Sequence, residues 1–402
     1  MQLLKRIGPG LLFAGAAIGV SHLVQSTRAG ADFGFGLLWA LLLIHLFKYP
    51  FFQYGPRYAM ATGESLLQGY LKLGKAFLLA YFILTMATMF TIQTAVTIVT
   101  AGLAANLFGL TADPVIWSII ITVICTAILL FGHYKLLDRL MKYIVLILTL
   151  CTLSAVIIAL TNSNPPELDQ VFPTEGAALA FLIAFMGWMP APMDISVWHS
   201  LWSIEKQQIA PEYDADKALN DFNLGYASTI ILGVFFISLG ALVMYDSGNS
   251  FSAGAGAFAS EFINLYTSSL GENTFLIIAL AGFTAMVSTT LTTLDASPRT
   301  MAQATQLITG KKTIFNFTFW IVILALGTIG ILLFFLSEMK TLIDVATILS
   351  FLTAPFYAAL NFRLITSKHT PEAQRPGKFM VVLSWSGIVF LCAFSLWYIT
   401  TL

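Results

Sequence analysis

Long apolar stretches separated by short polar connections form the dominant pattern of this chain. A helix that crosses a membrane needs roughly 20 mostly apolar residues, and eleven stretches meet that length. The pattern therefore predicts an all-α integral membrane protein with eleven spanning helices. Their predicted bounds are about 8–30, 35–60, 76–108, 114–131, 136–161, 176–203, 219–245, 274–307, 313–337, 341–363 and 378–401.

Two of these stretches are interrupted by residues that disfavour a continuous helix. The first contains Gly19-Val20-Ser21-His22, and the sixth contains Trp188-Met189-Pro190-Ala191-Pro192-Met193-Asp194. Each proline lacks a backbone N–H, and its ring clashes with the preceding turn. In hydrocarbon, unwound backbone persists only where protein or a water-filled cavity satisfies its polar groups. We therefore predict that helices 1 and 6 are broken at membrane depth.

The two breaks lie about 170 residues apart, and each opens a run of five apolar stretches. This is the pattern of transporters built from inverted repeats, whose substrate site lies at the paired helix breaks. The alternative is that proline and glycine merely kink the two helices, but the matching positions in two halves argue against it. We predict a first repeat over 1–162, a second over 163–366 and a C-terminal helix within 367–402.

Composition agrees with a membrane protein and narrows the function. Of 402 residues, 58% are hydrophobic and only 10% are charged, and the mean hydropathy is +0.84, so too few charges exist to cover a water-facing surface. The three cysteines are far apart in apolar stretches and form no metal-binding motif. Without a nucleotide loop, a nucleophile motif or a basic patch, we expect no enzymatic activity, no cofactor, no nucleic-acid partner and no protein partner.

The placement of basic residues predicts the orientation. Lysine and arginine occur at the N-terminus and in alternate connections, whereas the connections 109–113, 162–175 and 246–273 carry acidic residues and no basic one. The positive-inside rule then places the N-terminus in the cytoplasm and the C-terminus outside, in a bacterial cytoplasmic membrane. The basic residues at the N-terminus and in these alternate connections are Lys5, Arg6, Arg57, Lys72, Lys75, Lys135, Arg139, Lys206, Lys217, Lys311, Lys312, Arg363, Lys368, Arg375 and Lys378.

Several motifs resemble those of the Nramp family of metal-ion transporters. They cover most of the chain: Gly8-Pro9-Gly10, Arg28-Ala29-Gly30-Ala31-Asp32-Phe33-Gly34-Phe35, Leu37-Leu38-Trp39, Thr62-Gly63-Glu64, Asn106-Leu107-Phe108-Gly109, His199-Ser200 and Ser288-Thr289-Thr290-Leu291-Thr292. The resemblance implies a LeuT-like fold of two inverted five-helix repeats plus an eleventh helix. It also implies secondary transport of a divalent metal ion by alternating access.

The chain departs from the Nramp motifs at the residues that ligate metal in that family. Aligned on the motifs above, the Asp and Asn of the first break become Gly19 and His22, and Met-Pro-His of the sixth helix becomes Pro192-Met193-Asp194. The acidic residues of the family's third helix are replaced by Gln93-Thr94-Ala95-Val96-Thr97. Loss of a carboxylate removes a full negative charge from a low-dielectric site. Ordinary transition-metal transport is therefore not expected.

The residues in and beside the breaks are the candidate substrate-binding residues. His22 and Asp194 together would suit a hard-to-borderline cation, but a protonated His22 beside half-helix N–H groups would equally suit a proton-coupled anion. Asp194 alternatively caps the second half-helix. The full set is Gly19 and Pro190 through their carbonyl groups, with Ser21, His22, Met189, Met193 and Asp194 through their side chains.

A second set of polar residues is predicted to act in gating or coupling. Asp295 and Arg299 have the i, i+4 spacing of an ion pair within one helix, and Arg28 with Asp32 is a candidate outer gate. The threonines alternatively bond back to their own helix, and Lys48 is predicted to snorkel or to form an internal pair. The set is Arg28, Gln93, Thr94, Thr97, Asp295 and Arg299.

These observations predict a secondary active transporter of a small inorganic ion, with proton coupling as an option. Three alternatives remain for the residues that stand in the breaks. One is a cation bound by His22 and Asp194, the second is a small anion such as bicarbonate, and the third is a receptor or sensor that transports nothing. Polar residues persist in both breaks, and this argues against the third.

Overall fold

The computed structural model describes residues 8–401 except 132–133, 163–165, 246–250, 253, 312–313 and 335–338, and only the backbone of 134–145, 162, 269 and 339. The predicted repeat boundary at residue 163 and the residues Lys5, Arg6, Asp246 and Lys312 lie outside the described residues, as do the side chains of Lys135 and Arg139. In chain order the α-helices are α1 (Pro9–Ala17), α2 (Thr27–Phe33), α3 (Leu38–Thr62), α4 (Leu66–Leu73), α5 (Lys75–Phe108), α6 (Pro114–Phe131), α7 (Tyr134–Asn162), α8 (Gly176–Trp188), α9 (Ile195–Ile209), α10 (Ala215–Val243), α11 (Ala255–Leu270), α12 (Phe275–Thr309), α13 (Phe317–Phe334), α14 (Met339–Ile365) and α15 (Lys378–Thr401).

Each of the eleven predicted stretches contains one of these helices or a broken pair. In the described part of the chain, seven single helices are long and apolar enough to cross a membrane: α5, α6, α10, α12, α13, α14 and α15. An eighth span is the pair formed by Pro9–Ala17 and Ser21–Phe33, bent by 46°. Shorter apolar helices cover Leu146–Thr161 and Gly176–Trp188. The prediction of an all-α membrane protein is confirmed.

Both predicted helix breaks are present. The first helix ends at Ala17 and resumes with one π-helical segment, Ser21–Ser26, which runs directly into α2. The sixth ends at Trp188 and resumes at Ile195, so residues 189–194 lie outside regular helix. Pro190 and Pro192 explain the second interruption, since neither can donate a backbone hydrogen bond.

Helix α10 holds both halves of the first helix through close backbone contacts. A Cβ atom on Gly10 would lie 2.0 Å from the Asp221 carbonyl oxygen, and one on Gly225 would lie 2.0 Å from the Gly10 carbonyl oxygen. The same arrangement recurs at the other half, where a Cβ on Gly30 would lie 2.1 Å from the Ile237 carbonyl oxygen. Small residues at such crossings let membrane helices approach closely. The angle between the two halves is therefore fixed by one neighbouring helix.

The connection 246–273, predicted from its polar residues, contains the sixteen-residue helix α11. This helix was not predicted, because an apolar face was overlooked. Phe258, Phe262, Ile263 and Tyr266 recur at helical spacing and are buried in the core.

Candidate functional site

A small cavity lies between the two helix breaks. Its volume is about 20 Å³, enough for roughly one water molecule. The hydroxyl groups of Ser21, Thr289 and Thr293 provide its polar side chains, and in the described residues that line it none carries a charge. The remaining lining residues are Ala16, Ala17, Val20, Ile92, Val96, Trp188, Pro192, Ile195 and Trp198.

The structure brings the two breaks into direct contact at this cavity. The Ser21 hydroxyl lies 3.5 Å from the Pro190 carbonyl oxygen, and it also donates to the Ala17 carbonyl at the end of α1. Gly19 lies against helix α12, since a Cβ atom there would be 2.7 Å from the side chain of Thr289. The predicted site residues Gly19, Ser21 and Pro190 thus meet.

His22 is fully buried and joins the first break to α10. Its Nε2 lies 2.9 Å from the Thr229 carbonyl oxygen. Its Nδ1 lies 3.0 Å from the Ala17 carbonyl oxygen and 2.8 Å from the Ser21 hydroxyl. A carbonyl oxygen only accepts hydrogen bonds, so an imidazolium can donate to both carbonyls at once. A neutral ring that donates from Nε2 to Thr229 would need, at Nδ1, the single hydroxyl hydrogen that Ser21 otherwise donates to Ala17.

Asp194 holds the N-cap position of α9, although its side chain makes no capping hydrogen bond. The residue is 5% exposed. It interacts electrostatically with three buried phenol groups, those of Tyr70, Tyr81 and Tyr357. These neighbours are separate from the hydrogen-bond partners of His22.

The two candidate methionine ligands lie in the break but are absent from the cavity lining. Met189 Sδ lies 3.9 Å from the Ser26 hydroxyl, and the Met193 carbonyl oxygen accepts a 2.8 Å hydrogen bond from Ser196. Among the described residues, no group of three or more His, Cys, Asp or Glu side chains is placed to hold a metal ion.

Lys48 on α3 lies behind the second break and is fully buried. Its Nζ donates to the carbonyl oxygens of Met186 at 2.9 Å and Gly187 at 2.8 Å, and lies 3.5 Å from that of Ala191. The ammonium group therefore caps the C-terminal end of α8. The spacing of Lys48 to His45 was visible in the sequence, but its carbonyl partners come from a helix about 140 residues away and had no sequence signal.

Basic groups cluster around the breaks. His45 interacts electrostatically with both His22 and Lys48, and its Nδ1 lies 2.7 Å from the Leu41 carbonyl oxygen. In the described ion pairs, no carboxylate lies within salt-bridge distance of Lys48. The region behind the cavity is thus rich in basic groups, whereas Asp194 lies among tyrosines.

Gln93 and Thr97 form part of a polar contact between α5 and α12. The Gln93 side-chain oxygen accepts a 2.7 Å hydrogen bond from Thr293, which lines the cavity, and its amide nitrogen lies 3.2 Å from the Thr97 hydroxyl. Thr94 and Thr97 also donate to their own helix at 2.7 Å, as the alternative interpretation expected. A hydrogen-bonded series of uncharged amide and hydroxyl groups thus reaches the cavity wall.

A larger cavity of about 300 Å³ lies at the α2 end of the broken helix and is lined by Arg28, Asp32, Lys340 and Asp344. Arg28 pairs with Asp344 of α14 at 3.1 Å rather than with Asp32. Its guanidinium also donates to Gln25 at 2.8 Å and lies 4.8 Å above the Phe181 ring. The Arg28 side chain therefore links α2 to α8 and α14 at this larger cavity.

Two further ionic contacts lie away from the central cavity. Arg299 Nε donates to Asp295 at 2.7 Å within α12, which confirms the predicted i, i+4 pair. The Asp221 carboxylate accepts from the backbone N–H groups of Gly8 at 3.1 Å and Gly10 at 2.8 Å. It thereby caps the positive end of α1, a role that its position within an apolar stretch gave no means to predict.

Two broken helices in contact at a buried cavity, within an all-helical membrane bundle, define a secondary transporter of the LeuT-like class. The family model for natural resistance-associated macrophage protein-like (Nramp) proteins matches residues 10–401. The chain belongs to the Nramp family and is an integral membrane transporter.

The chain is also similar to individual proteins. The chain is 37% identical to an uncharacterized protein of Pasteurella multocida, covering 98% of this chain and 91% of the relative. It is similar in structure to a mutant of the Eremococcus coleocola manganese transporter, with a TM-score of 0.75 and 16% identity over 98% of this chain and 86% of the other. The transporter MhsT in complex with L-phenylalanine gives a TM-score of 0.63 at 14% identity, with 98% of each chain covered. These likenesses confirm the LeuT-like fold.

Proposed function

We propose that this chain is a secondary active transporter that moves a small oxyanion, such as bicarbonate, by alternating access around the cavity between the two breaks. The observation that carries the proposal is the distribution of ionisable side chains. The basic groups of Lys48, His22 and His45 lie around the breaks, while no charged side chain in the described residues lines the cavity.

A divalent cation would be poorly stabilised in this cavity. Moving a dication from water into a low-dielectric interior is costly unless carboxylates or comparable ligands replace its hydration shell. Gly19 and His22 stand where the resemblance places carboxylate and amide ligands, and the Asp194 carboxylate faces tyrosines. The hydroxyl groups of the lining supply too little negative charge.

The electrostatic surroundings suit an anion better, although the cavity of about 20 Å³ must widen to admit an oxyanion. Helix α9 begins at Ile195, which lines the cavity, and the dipole of a helix places partial positive charge at its N-terminus. The hydroxyls of Ser21, Thr289 and Thr293 can rotate to donate to a bound oxyanion. The aromatic and aliphatic walls favour a singly charged, weakly hydrated ion. We infer that His22 carries the coupling proton, because the imidazolium form satisfies both of its carbonyl partners.

The second candidate is a divalent metal ion, and family membership favours it. The structurally similar protein of Eremococcus coleocola is a manganese transporter. On that alternative, His22, Asp194 and the sulfur of Met189 or Met193 would have to move into the cavity together. The described contacts of His22 and Asp194 point to different neighbours, so we rank this candidate second.

Uptake into proteoliposomes tests the proposal. Under an imposed pH gradient, we expect saturable entry of radiolabelled bicarbonate that depends on the protein and exceeds the leak of protein-free vesicles. The matched variant Thr293→Val keeps the side-chain shape and removes one hydroxyl from the cavity wall. It should raise the bicarbonate KM by about 10-fold, the equivalent of one lost hydrogen bond. Bicarbonate entry no faster than leak would contradict the proposal.

Asp194→Asn separates the two candidate substrates. Because the carboxylate lies among tyrosines and outside the cavity lining, we expect bicarbonate uptake close to that of the wild type. A metal site that uses Asp194 as its remaining carboxylate would instead lose its substrate. The measurement is uptake of both ions by the same preparation. Loss of bicarbonate transport in Asp194→Asn would contradict the expectation that this carboxylate is not needed for anion transport.

Arg28 and Asp344 are proposed to form the gate at the external end, with the N-terminus in the cytoplasm as the distribution of basic residues predicts. Arg28→Gln and Asp344→Asn should each change the uptake rate. The change in the double variant should be smaller than the sum of the two single changes. We expect a coupling energy of about 0.5–3 kcal/mol from the double-mutant cycle. The same cycle on the exposed pair Lys72 and Glu64, 2.5 Å apart, is the control and should give a value near zero.

A further inference from the structure

Lys48 places its amino group at a point of the fold that normally attracts cations. The last carbonyl groups of a helix lack intrahelical partners and carry partial negative charge. In a broken membrane helix this end is available to a substrate or coupling cation. Here the carbonyl oxygens of Met186 and Gly187 are both within 2.9 Å of the Lys48 ammonium.

The contact is built into the core. Lys48 is fully buried, and Gly187 packs so tightly on α14 that a Cβ atom would lie 2.0 Å from the Thr347 carbonyl oxygen. The Ala191 carbonyl oxygen within the break lies 3.5 Å from the same Nζ. One ammonium group therefore links the end of α8 to the unwound segment that follows it. A buried charge at membrane depth is costly and is usually tied to function.

We propose that Lys48 is a specificity-determining residue of the transport site: its ammonium takes the place of a cation at the carbonyl end of α8 and reserves the site for anions. This inference rests on the proposed anion transport and names the residue that sets the sign of the substrate. All three donor hydrogens of Lys48 have a carbonyl oxygen in reach, so it acts through its charge rather than by binding the substrate. His45 and His22, its basic neighbours, add to the same field when protonated.

Removal of the ammonium should open a cation site. An ammonium ion and a rubidium ion are similar in size, and carbonyl oxygens can replace the hydration shell of such ions. In Lys48→Ala, we expect rubidium chloride to raise the Tm saturably, compared with choline chloride at equal ionic strength. The wild type and the exposed-lysine control Lys72→Ala should show no such rise.

A second variant tests the effect on the anion. Lys48→Gln retains an amide that can donate to the α8 carbonyls but removes the charge. It should remain folded and raise the bicarbonate KM by about 10-fold, whereas Lys48→Arg should stay closer to the wild type. If Lys48 only caps the helix and has no influence on selectivity, the bicarbonate KM of Lys48→Gln would equal that of the wild type.

The outcomes separate this inference from the proposed function. A folded Lys48→Ala protein that rubidium does not stabilise overturns the inference, even if the wild type transports bicarbonate. If Lys48→Ala fails to fold, two other results would overturn the inference. One is saturable stabilisation of the wild type by rubidium or manganese, and the other is an unchanged bicarbonate KM in Lys48→Gln. Rubidium stabilisation of Lys48→Ala, together with a wild type that transports no bicarbonate, supports the role of Lys48 and rejects the proposed substrate.

Discussion

Gly30→Ala is expected to abolish most of the folded protein. The added methyl group would lie 2.1 Å from the Ile237 carbonyl oxygen and 2.8 Å from the Ala241 nitrogen. Both atoms belong to the backbone of α10, so rotation of a side chain cannot relieve the overlap. Overpacking of this kind costs about 3 kcal/mol or more when the backbone has to move. The yield of monodisperse protein in size-exclusion chromatography measures the effect.

Gly330→Ala is the matched control for that substitution. Gly330 also lies in a membrane helix, α13, but a Cβ atom there has nothing within 4 Å. We expect a yield equal to that of the wild type. If Gly30→Ala gave the same yield as Gly330→Ala, the close crossing of α2 and α10 would be wrong.

His22→Leu is expected to abolish saturable transport while the protein remains folded. The substitution keeps an apolar side chain of similar bulk in the core but removes the link between Ala17 at the break and Thr229 on α10. One charge-assisted hydrogen bond is worth about 1.5–3 kcal/mol, which corresponds to roughly 10- to 150-fold in affinity. Loss of the coupling proton would add to this effect. Bicarbonate uptake under a pH gradient measures the combined loss.

His22→Gln serves as the conservative comparison. Its amide can donate to one of the two carbonyl groups but cannot take up a proton near neutral pH. We expect it to fold like the wild type and to move bicarbonate without dependence on the pH gradient. Proton-dependent uptake by His22→Gln would show that the coupling proton is carried elsewhere.

The sequence was sufficient to predict the helix breaks and their pairing. Pro190 and Pro192 cannot support a regular helix, and the matching interruption at Gly19 indicated paired breaks in two repeats. The i, i+4 spacing of Asp295 and Arg299 likewise predicted an ion pair that the structure contains. These are local rules, which depend on residues that are close in the sequence.

Partners from distant helices could not be predicted. The side chains of Lys48 and Asp221 are both satisfied by backbone groups more than a hundred residues away, and backbone groups leave no pattern in the sequence. His22 was predicted to face the substrate, yet its ring nitrogens face carbonyl oxygens of α1 and α10. Its assignment as a substrate ligand stays a prediction.

The charge of the transported ion is the central claim, and parallel flux assays test it most directly. Proteoliposomes that contain the wild-type chain would be offered radiolabelled bicarbonate or radiolabelled manganese under the same pH gradient, with His22→Leu as the inactive control. We predict saturable bicarbonate uptake that His22→Leu lacks, and manganese uptake no greater than in protein-free vesicles. Saturable manganese uptake without bicarbonate uptake would contradict the account. It would show that the chain transports a metal ion with ligands that differ from those of the Nramp motifs.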